Sequence, residues 1–494
     1  MNRLPTMLYT AARVRELDRI AIEDHHIPGS TLMARAAQAA FKLMSTKFAD
    51  AKKIAVVCGM GNNAGDGFVL ARIAQPLGFD VTVILVGNPD DFKGDCLEAY
   101  ANLQGTKAII KKFENDNLSP YDLVVDALFG SGLSRPIEGR YKDAVDCING
   151  AGKPVLAIDI PSGINADTGE VMGVAVRACA TISFIGLKQG LFTGKGLEHA
   201  GEIHFSDLGV PAAIFNSVTS AVSLLDLSTL LKKLPQRARD THKGDFGHTL
   251  VVGGDAGMTG AARLACEGAL RVGSGLVSLA TREKHAALVN IGRPEIMSHG
   301  VEKPSDLGKR LSLATVVAVG PGIGRGRFAE IMWRGCLKSA LPLVVDADAL
   351  NLLARDPVIR GDWILTPHPG EAARLLGCTT ADVQRDRFAA VCELQKKYAA
   401  VVVLKGCGTL VCDGGKTVGV CDKGNPGMAS GGMGDALTGI IAGLVSQGVS
   451  LIDAAQLGVC LHATAADMAA REGERGLLAG DIFAHVRKMV NGLT

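Results

Sequence analysis

The sequence predicts an α/β fold arranged as two successive α/β/α sandwich domains. Three observations point there. Short, continuous runs of apolar and β-branched residues alternate with stretches of helical periodicity, the pattern of a parallel sheet covered on both faces. The alternation fades between Ala212 and Asp240 and then starts afresh. Glycine-rich turns follow the apolar runs, where the strand ends of open α/β sheets bind ligands.

The chain opens with two segments whose apolar residues recur at helical spacing, Ala11–Asp24 and Ser30–Phe48, with Thr10 and Ser30 as expected N-caps. Strands are then expected at Ile54–Cys58, Val81–Val86, Leu123–Asp126 and Pro154–Ile160. The segment Leu231–Thr241 is polar and basic, which sets the boundary: a first domain over 1–224 and a second over 225–494. In the second, strands are expected at Thr249–Val252, Leu276–Ala280, Thr315–Val319, Leu343–Val345, Trp363–Thr366 and Val401–Leu404. No spacing aligns the two halves, so they are not read as a tandem repeat.

Bulk composition narrows the class of function. A chain of 494 residues holds about two to four domains, each able to bury its own core. Lys and Arg number 52 against 50 Asp and Glu, so there is no overall field to hold nucleic acid or an anionic membrane. Aromatics are only 4% while glycines number 61, which suits tight strand-to-helix turns rather than base-stacking platforms. The 12 cysteines form no Cys-x-x-Cys pair and no zinc spacing, and are expected to be reduced. No stretch approaches the roughly 20 apolar residues of a membrane span, and Met1–Arg13 lacks a signal-peptide core. The expected location is the cytoplasm and the expected partners are small molecules. The apolar run Ala436–Val449 is broken by Thr438, Gly439, Gly443 and Gln447, and is read as a buried helix.

The densest chemical signal is Asn425-Pro426-Gly427-Met428-Ala429-Ser430-Gly431-Gly432-Met433-Gly434-Asp435, leading into that helix. Glycines let successive N–H groups converge on one point, and a helix N-terminus adds its positive end, together a cradle for phosphate. Asp435 falls in the first turn. A carboxylate there can accept the proton of a hydroxyl attacking phosphorus, or can merely complement the helix dipole. Its surroundings favour chemistry. Lys405-Gly406-Cys407-Gly408-Thr409 follows the run Val401–Leu404, and three more strand ends carry Gly320-Pro321-Gly322-Ile323-Gly324, Asp346-Ala347-Asp348 and Thr366-Pro367-His368-Pro369-Gly370-Glu371. His368, held between prolines, suits either substrate positioning or a structural turn.

This set, with His242-Lys243-Gly244-Asp245-Phe246-Gly247, resembles the ribokinase-like fold and, more narrowly, the ADP-dependent NAD(P)H-hydrate dehydratase domain. The resemblance implies phosphorylation of the 6-hydroxyl of a hydrated nicotinamide by ADP, then loss of phosphate to restore NAD(P)H. It implies substrate contacts at Asp435, Ala261, Gly322, Gly324 and His368, nucleotide contacts along Lys405–Thr409 and Asn425–Gly434, and a magnesium ion at this site.

In the first half, Val56-Val57-Cys58-Gly59-Met60-Gly61-Asn62-Asn63-Ala64-Gly65-Asp66-Gly67 reads as strand, glycine-rich turn and helix, a Rossmann-like arrangement. No acidic residue closes the next strand, because Val81–Val86 runs into Gly87 and Asn88. A dehydrogenase is therefore disfavoured. Paired amides and Asp66 instead offer oxygen ligands and donors to a phosphate-bearing ligand or a hard cation. Later strand ends add Asp126-Ala127-Leu128-Phe129-Gly130-Ser131-Gly132 and Asp159-Ile160-Pro161-Ser162-Gly163, and Asn63, Asp126 and Ser162 can meet at one cation.

Together with Leu133-Ser134-Arg135-Pro136 these segments resemble the NAD(P)H-hydrate epimerase domain. That resemblance implies potassium at Asn63, Asp126 and Ser162, and hydrate contacts from Asn62, Asn63, Ala64, Gly65 and Asp66, from Gly130, Ser131, Gly132, Leu133, Ser134, Arg135 and Pro136, and from Asp159. Asp159 is the acid/base candidate, with a purely binding role the competing assignment; Lys188 is read as structural. The whole is then a cofactor-repair enzyme acting on NADH hydrate and NADPH hydrate with ADP, and expected to be a homo-oligomer. The competing reading is a ribokinase-like kinase for a small alcohol, such as a vitamin precursor, carrying a non-catalytic N-terminal binding module.

Overall fold

The computed structural model describes residues 4–493. Its contacts divide the chain into two compact units, Met1–Ser223 and Leu224–Thr494, each an α/β/α sandwich.

In the first unit the strands are β1 (Met7–Tyr9), β2 (Lys53–Cys58), β3 (Asp80–Leu85), β4 (Ile109–Lys112), β5 (Leu123–Ala127), β6 (Val155–Ile158), β7 (Ala180–Phe184), β8 (Leu187–Lys188) and β9 (Glu202–Ser206). Seven of them form a parallel sheet in the order β4-β3-β2-β5-β6-β7-β9. Side chains of a strand alternate between faces, and β2 shows why its run is apolar throughout. Ile54, Val56 and Cys58 enter a core with Phe68, Met33 and Cys96, while Ala55 and Val57 enter another with Val124, Val145 and Ile148. Helices Gly29–Lys47, Asn62–Ala74 and Gly94–Gln104 cover the first face and Gly139–Gly150 the second. The order reverses between β2 and β5, which opens a crevice at their carboxyl ends. At the edge of this unit β1 pairs in parallel with β8 and antiparallel with β10 (Val222–Leu224), Leu8 lying opposite Leu187 and Val222.

The second unit contains β11 (His248–Val252), β12 (Leu276–Thr281), β13 (Met297–Gly300), β14 (Val316–Val319), β15 (Leu343–Val345), β16 (Trp363–Leu365), β17 (Val401–Leu404), β18 (Thr409–Cys412) and β19 (Val418–Cys421). The order is β13-β12-β11-β14-β15-β16-β17-β18-β19, parallel as far as β17 and antiparallel through the last two. Its reversal lies between β11 and β14. Helix Thr259–Val272 packs closely on helix Met433–Ser446 because both carry glycines at the crossing. A Cβ on Gly439 would stand 1.8 Å from the Ala265 carbonyl oxygen, and one on Gly268 2.6 Å from that of Ala436. The run expected as a buried helix is this second helix, and no described helix is long and apolar enough to cross a membrane. None of the 12 cysteines, all among the described residues, is joined in a disulfide.

Two local expectations are corrected. Thr10 caps its helix, accepting from Arg13 N at 3.3 Å, but the regular helix ends at Arg19 and widens into a π-helical turn over Ile20–Asp24. Ser30 is not an N-cap: Pro28, extended at φ −57° and ψ 142°, stands in that place and the helix already begins at Gly29.

Candidate active sites

In the first unit the turn after β2 passes so close to the end of β5 that only glycine fits. A Cβ on Gly59 would lie 2.0 Å from the Leu128 carbonyl oxygen, a backbone atom that cannot swing aside. We expect Gly59→Ala to cost about 1–3 kcal/mol by overpacking and to lower the melting temperature of this unit without touching the second unit's activity. Thermal unfolding of the variant measures it.

The turn delivers Asn63 into the protein with both amide atoms buried and without a partner among the described residues. Asp126, at the end of β5, is fully buried; its Oδ2 accepts from Ser162 N at 2.8 Å and its Oδ1 from Ser162 Oγ at 2.6 Å and Leu128 N at 3.2 Å. Burial pushes its carboxyl up to about 6 despite the Ser162 donors. Ser162 Oγ in turn accepts from Phe129 N at 2.8 Å, and Gly130 abuts the Asn63 side chain, so the loop 129–130 links the three residues.

Asp159 follows β6 in the left-handed region at φ 69°, a strained conformation for a non-glycine residue and one that clusters at functional sites. Its Oδ2 accepts from Ser131 N at 3.1 Å and its Oδ1 is paired with the Lys188 ammonium. Lys188 is fully buried, with Ser183 Oγ at 3.2 Å and the Phe184 carbonyl oxygen at 3.1 Å as further acceptors. Two more carboxylates gather here. Burial pushes Asp66 well above the usual carboxylate range, with Asp159 and Asp18 adding repulsion, and burial lifts Asp18 to about 6.

A cavity of about 550 Å³ opens at this point, lined by Asn62, Asn63, Asp66, the loop 130–135, Asp159, Lys188 and Asp18. Ala64 and Gly65 are buried behind it in the helix, and Pro136 lies outside its lining. Asp18 carries no motif in the sequence. Only folding brings its helix to the β2–β5 crevice.

In the second unit the glycine-rich segment and three strand ends converge. Asp346, after β15, is buried; its Oδ1 pairs with Lys405 Nζ at 2.7 Å and its Oδ2 accepts from Thr438 Oγ1 at 2.8 Å. Burial opposes its charge, yet the Lys405 ammonium and the Thr438 and Thr366 hydroxyls hold its carboxyl below the usual range. Lys405 also lies 3.9 Å from Glu371, whose carboxyl burial pushes up to about 7. A Cβ on Gly434 would lie 3.3 Å from Lys405 Nζ, so the first turn of helix Met433–Ser446 rests against this lysine.

Asp435 occupies that turn, half-buried, and burial together with the Asp346 carboxylate pushes it up to about 7. Ser430 Oγ is buried without a partner among the described residues, and Asn425 fixes its loop by accepting from Gly427 N at 3.0 Å and donating to Asp467 at 2.9 Å. His462 is buried against the Met433 backbone, and burial takes its imidazole down to about 4, so it stays neutral beside the cradle.

His368 caps helix Pro369–Leu376, its Nδ1 accepting from Gly370 N at 3.0 Å while its own N–H donates to Glu371 Oε2 at 2.8 Å. Gly322 and Ala261 come together at the β11–β14 reversal: with φ 58°, Gly322 leaves only 3.2 Å between an added Cβ and that of Ala261. Gly324, at φ 77°, faces Asp255. Asp346 lies in one of the strand ends that the sequence marks, whereas Thr438 and Asp467 are ordinary polar residues within helices and carry no signature there.

Comparison with known proteins follows the same division. A family model described as NAD(P)H-hydrate dehydratase matches residues 249–488, and one described as YjeF-related protein N-terminus matches residues 29–190. Over 98% of its length the chain is 50% identical to the bifunctional NAD(P)H-hydrate repair enzyme Nnr of Coxiella burnetii, all of which it covers. It is 39% identical over 99% of its length to the Escherichia coli protein of the same description, covering 95% of it. A solved ribokinase-like superfamily protein of Enterococcus faecalis aligns with a TM-score of 0.51 at 26% identity, covering 55% of this chain and 96% of that one.

Proposed function

Because the chain belongs to the family of bifunctional NAD(P)H-hydrate repair enzymes, we propose that its first unit interconverts the R and S forms of NADH and NADPH hydrate and its second dehydrates the S form with ADP, releasing AMP and phosphate. The observation that carries the second activity is Asp435: a half-buried carboxylate in the first turn of a helix, beside Lys405, titrating near neutrality. Such a group is ionised often enough to take the proton of the 6-hydroxyl and basic enough to hold it. The phosphoryl group passes from ADP to that oxygen and AMP departs; the ring then loses phosphate from C6, a far better leaving group than hydroxide, and a proton from C5, which restores the double bond. The glycine amides of 425–434, with the buried Ser430 hydroxyl, suit the diphosphate; Ala261, Gly322, Gly324 and His368 are assigned to the hydrate.

For a resident magnesium ion the residues do not fit. Asp346 is taken by Lys405 and Thr438, and no group of three His, Cys, Asp or Glu side chains among the described residues is placed to hold a metal. Magnesium keeps its waters and binds through phosphates, so we assign it to the nucleotide as part of the substrate. Potassium does fit the first unit. Asn63 offers an unpartnered amide oxygen, and Asp126 is a buried carboxylate with no cation beside it in its hydrogen-bond set. With Ser162 these would hold the ion, which supplies positive charge to orient the hydrate's phosphates. Asp159 carries the acid/base role at C6, where hydroxyl and ring nitrogen on one carbon permit reversible bond breaking; Lys188, bonded to its Oδ1, keeps it aimed.

One incubation tests both halves: mixed hydrate epimers with ADP, followed by nicotinamide absorbance and AMP release, in potassium and in tetramethylammonium. Full recovery is expected in potassium, and recovery of the S form alone for Asp159→Asn. A stable phosphorylated product would instead establish a small-alcohol kinase, and equal epimer exchange in parent and variant would leave the first unit a binding module.

A further inference from the structure

Arg387 begins helix Arg387–Tyr398, where the helix dipole disfavours a cation, and its side chain is almost wholly buried, 1% exposed. A buried guanidinium needs acceptors for its charge. It finds three of them at the end of β17 and in the loop that follows, where Nη2 donates to the carbonyl oxygens of Leu404, Lys405 and Gly408, each at 3.3 Å, and a fourth in Gln384, whose Oε1 accepts from Nη1 at 2.9 Å.

These bonds have a consequence for the other side of the loop. All the described peptides are trans, and in a trans peptide the C=O and the following N–H point opposite ways. Drawing the Lys405 carbonyl in towards the guanidinium turns the Gly406 N–H away from it. The preceding peptide is pinned as well, since Lys405 N donates to the Pro367 carbonyl at 2.9 Å, and Thr409 Oγ1 closes the turn on the Gly406 carbonyl at 3.0 Å. Gly406 itself passes over the guanidinium at φ 136°, with 3.0 Å between an added Cβ and Nη1, so only glycine fits.

We propose that Arg387 is a positioning residue for the nucleotide: by holding the Lys405 carbonyl oxygen inward, with those of Leu404 and Gly408 on either side, it makes the loop present the Gly406 N–H, rather than an oxygen, to the diphosphate. The inference rests on reading that loop as a nucleotide contact. Without the guanidinium the Lys405 carbonyl is free to turn outward, where its oxygen repels phosphate, and Lys405 is left with the Pro367 bond alone to fix its backbone.

The test is steady-state kinetics and direct ADP binding for the parent, Arg387→Met, Arg387→Lys and Gln384→Ala. Arg387→Met should raise both KM and the dissociation constant for ADP about tenfold or more, the scale of a lost charge-assisted hydrogen bond, with KM for the hydrate within about twofold. Arg387→Lys should recover part of the loss, because it restores a charge but not the fork. Gln384 is exposed, so Gln384→Ala keeps the fold and should raise KM for ADP by about two- to fivefold through a slackened guanidinium, the effect of losing one hydrogen bond. Unchanged ADP affinity in folded Arg387→Met overturns the proposal; if that variant does not fold, unchanged affinity in Gln384→Ala does. So does an equal rise in both KM values. A parent that binds no ADP sinks the nucleotide-site reading itself, a different outcome from any of these.

Discussion

Asp435→Asn should lower the dehydratase kcat by about 10²–10⁴-fold, the range of a lost general base, while epimerisation in the first unit keeps its parental rate. The parent's pH profile should show the group directly. Burial and the Asp346 carboxylate raise the Asp435 carboxyl to about 7, so the base is protonated and inactive below that pH. Then kcat/KM for the hydrate rises as pH climbs through about 7 and levels off above it, and the residual rate of the variant lacks this limb. The same substitution should raise the melting temperature at pH 8. A raised folded pKa means that folding disfavours the ionised form, so above the unfolded value of about 4 the charge opposes folding, and asparagine removes it. A variant with parental turnover would remove the base from the mechanism.

Lys188→Met is expected to have the largest effect on stability. Its ammonium is fully buried against Asp159, Ser183 Oγ and the Phe184 carbonyl, and Asp159 is itself little exposed. Removing one member of such a pair leaves a carboxylate beside Asp66 and Asp18 with no compensating charge, a loss of about 3–5 kcal/mol. Epimerisation should disappear with it. Lys188→Met combined with Asp159→Asn should be more stable than Lys188→Met alone, because the orphaned charge is gone. Denaturant unfolding of the single and double variants measures the difference, and equal midpoints would mean that the pair contributes no coupling.

The central strands could be read from the chain because each is buried on both faces and so carries a continuous apolar run: β14 and β17 are apolar throughout, β2 is apolar after Lys53, and β5 up to Asp126. The strands that escaped notice break that rule for a physical reason. β4 is an edge strand, Ile-Ile-Lys-Lys, with exposed ends, and β9 is only half-buried beyond its first residue. β7 is buried but contains Thr181 and Ser183, whose hydroxyls meet the Ala200 carbonyl and Lys188. β18 and β19 form a hairpin after the parallel run ends, which the alternation of strand and helix does not announce.

The sites divide in the same way. Glycine-rich strand ends are local in sequence, so Asn63, Asp159 and Asp435 could be singled out beforehand, and folding sets the first two on one cavity. Asp18, Arg387 and Asp467 act across long stretches of chain: Arg387 meets a carbonyl 21 residues away, and Asp467 holds a loop 42 and 43 residues before it. Side chains of ordinary polar type leave no mark at such separations until the chain is closed.

The cap on helix Pro369–Leu376 also fixes the chemistry that its imidazole can offer. With Nδ1 accepting from Gly370 N, and burial with the nearby Lys405 holding the ring neutral, the single ring proton resides on Nε2. The outward nitrogen is therefore a donor only, with Glu371 Oε1 at 3.4 Å as its nearest taker. A molecule approaching from that side is welcomed through a lone pair and refused through an N–H. The direction of this one hydrogen thus sorts ligands by which end of an amide they turn towards the protein.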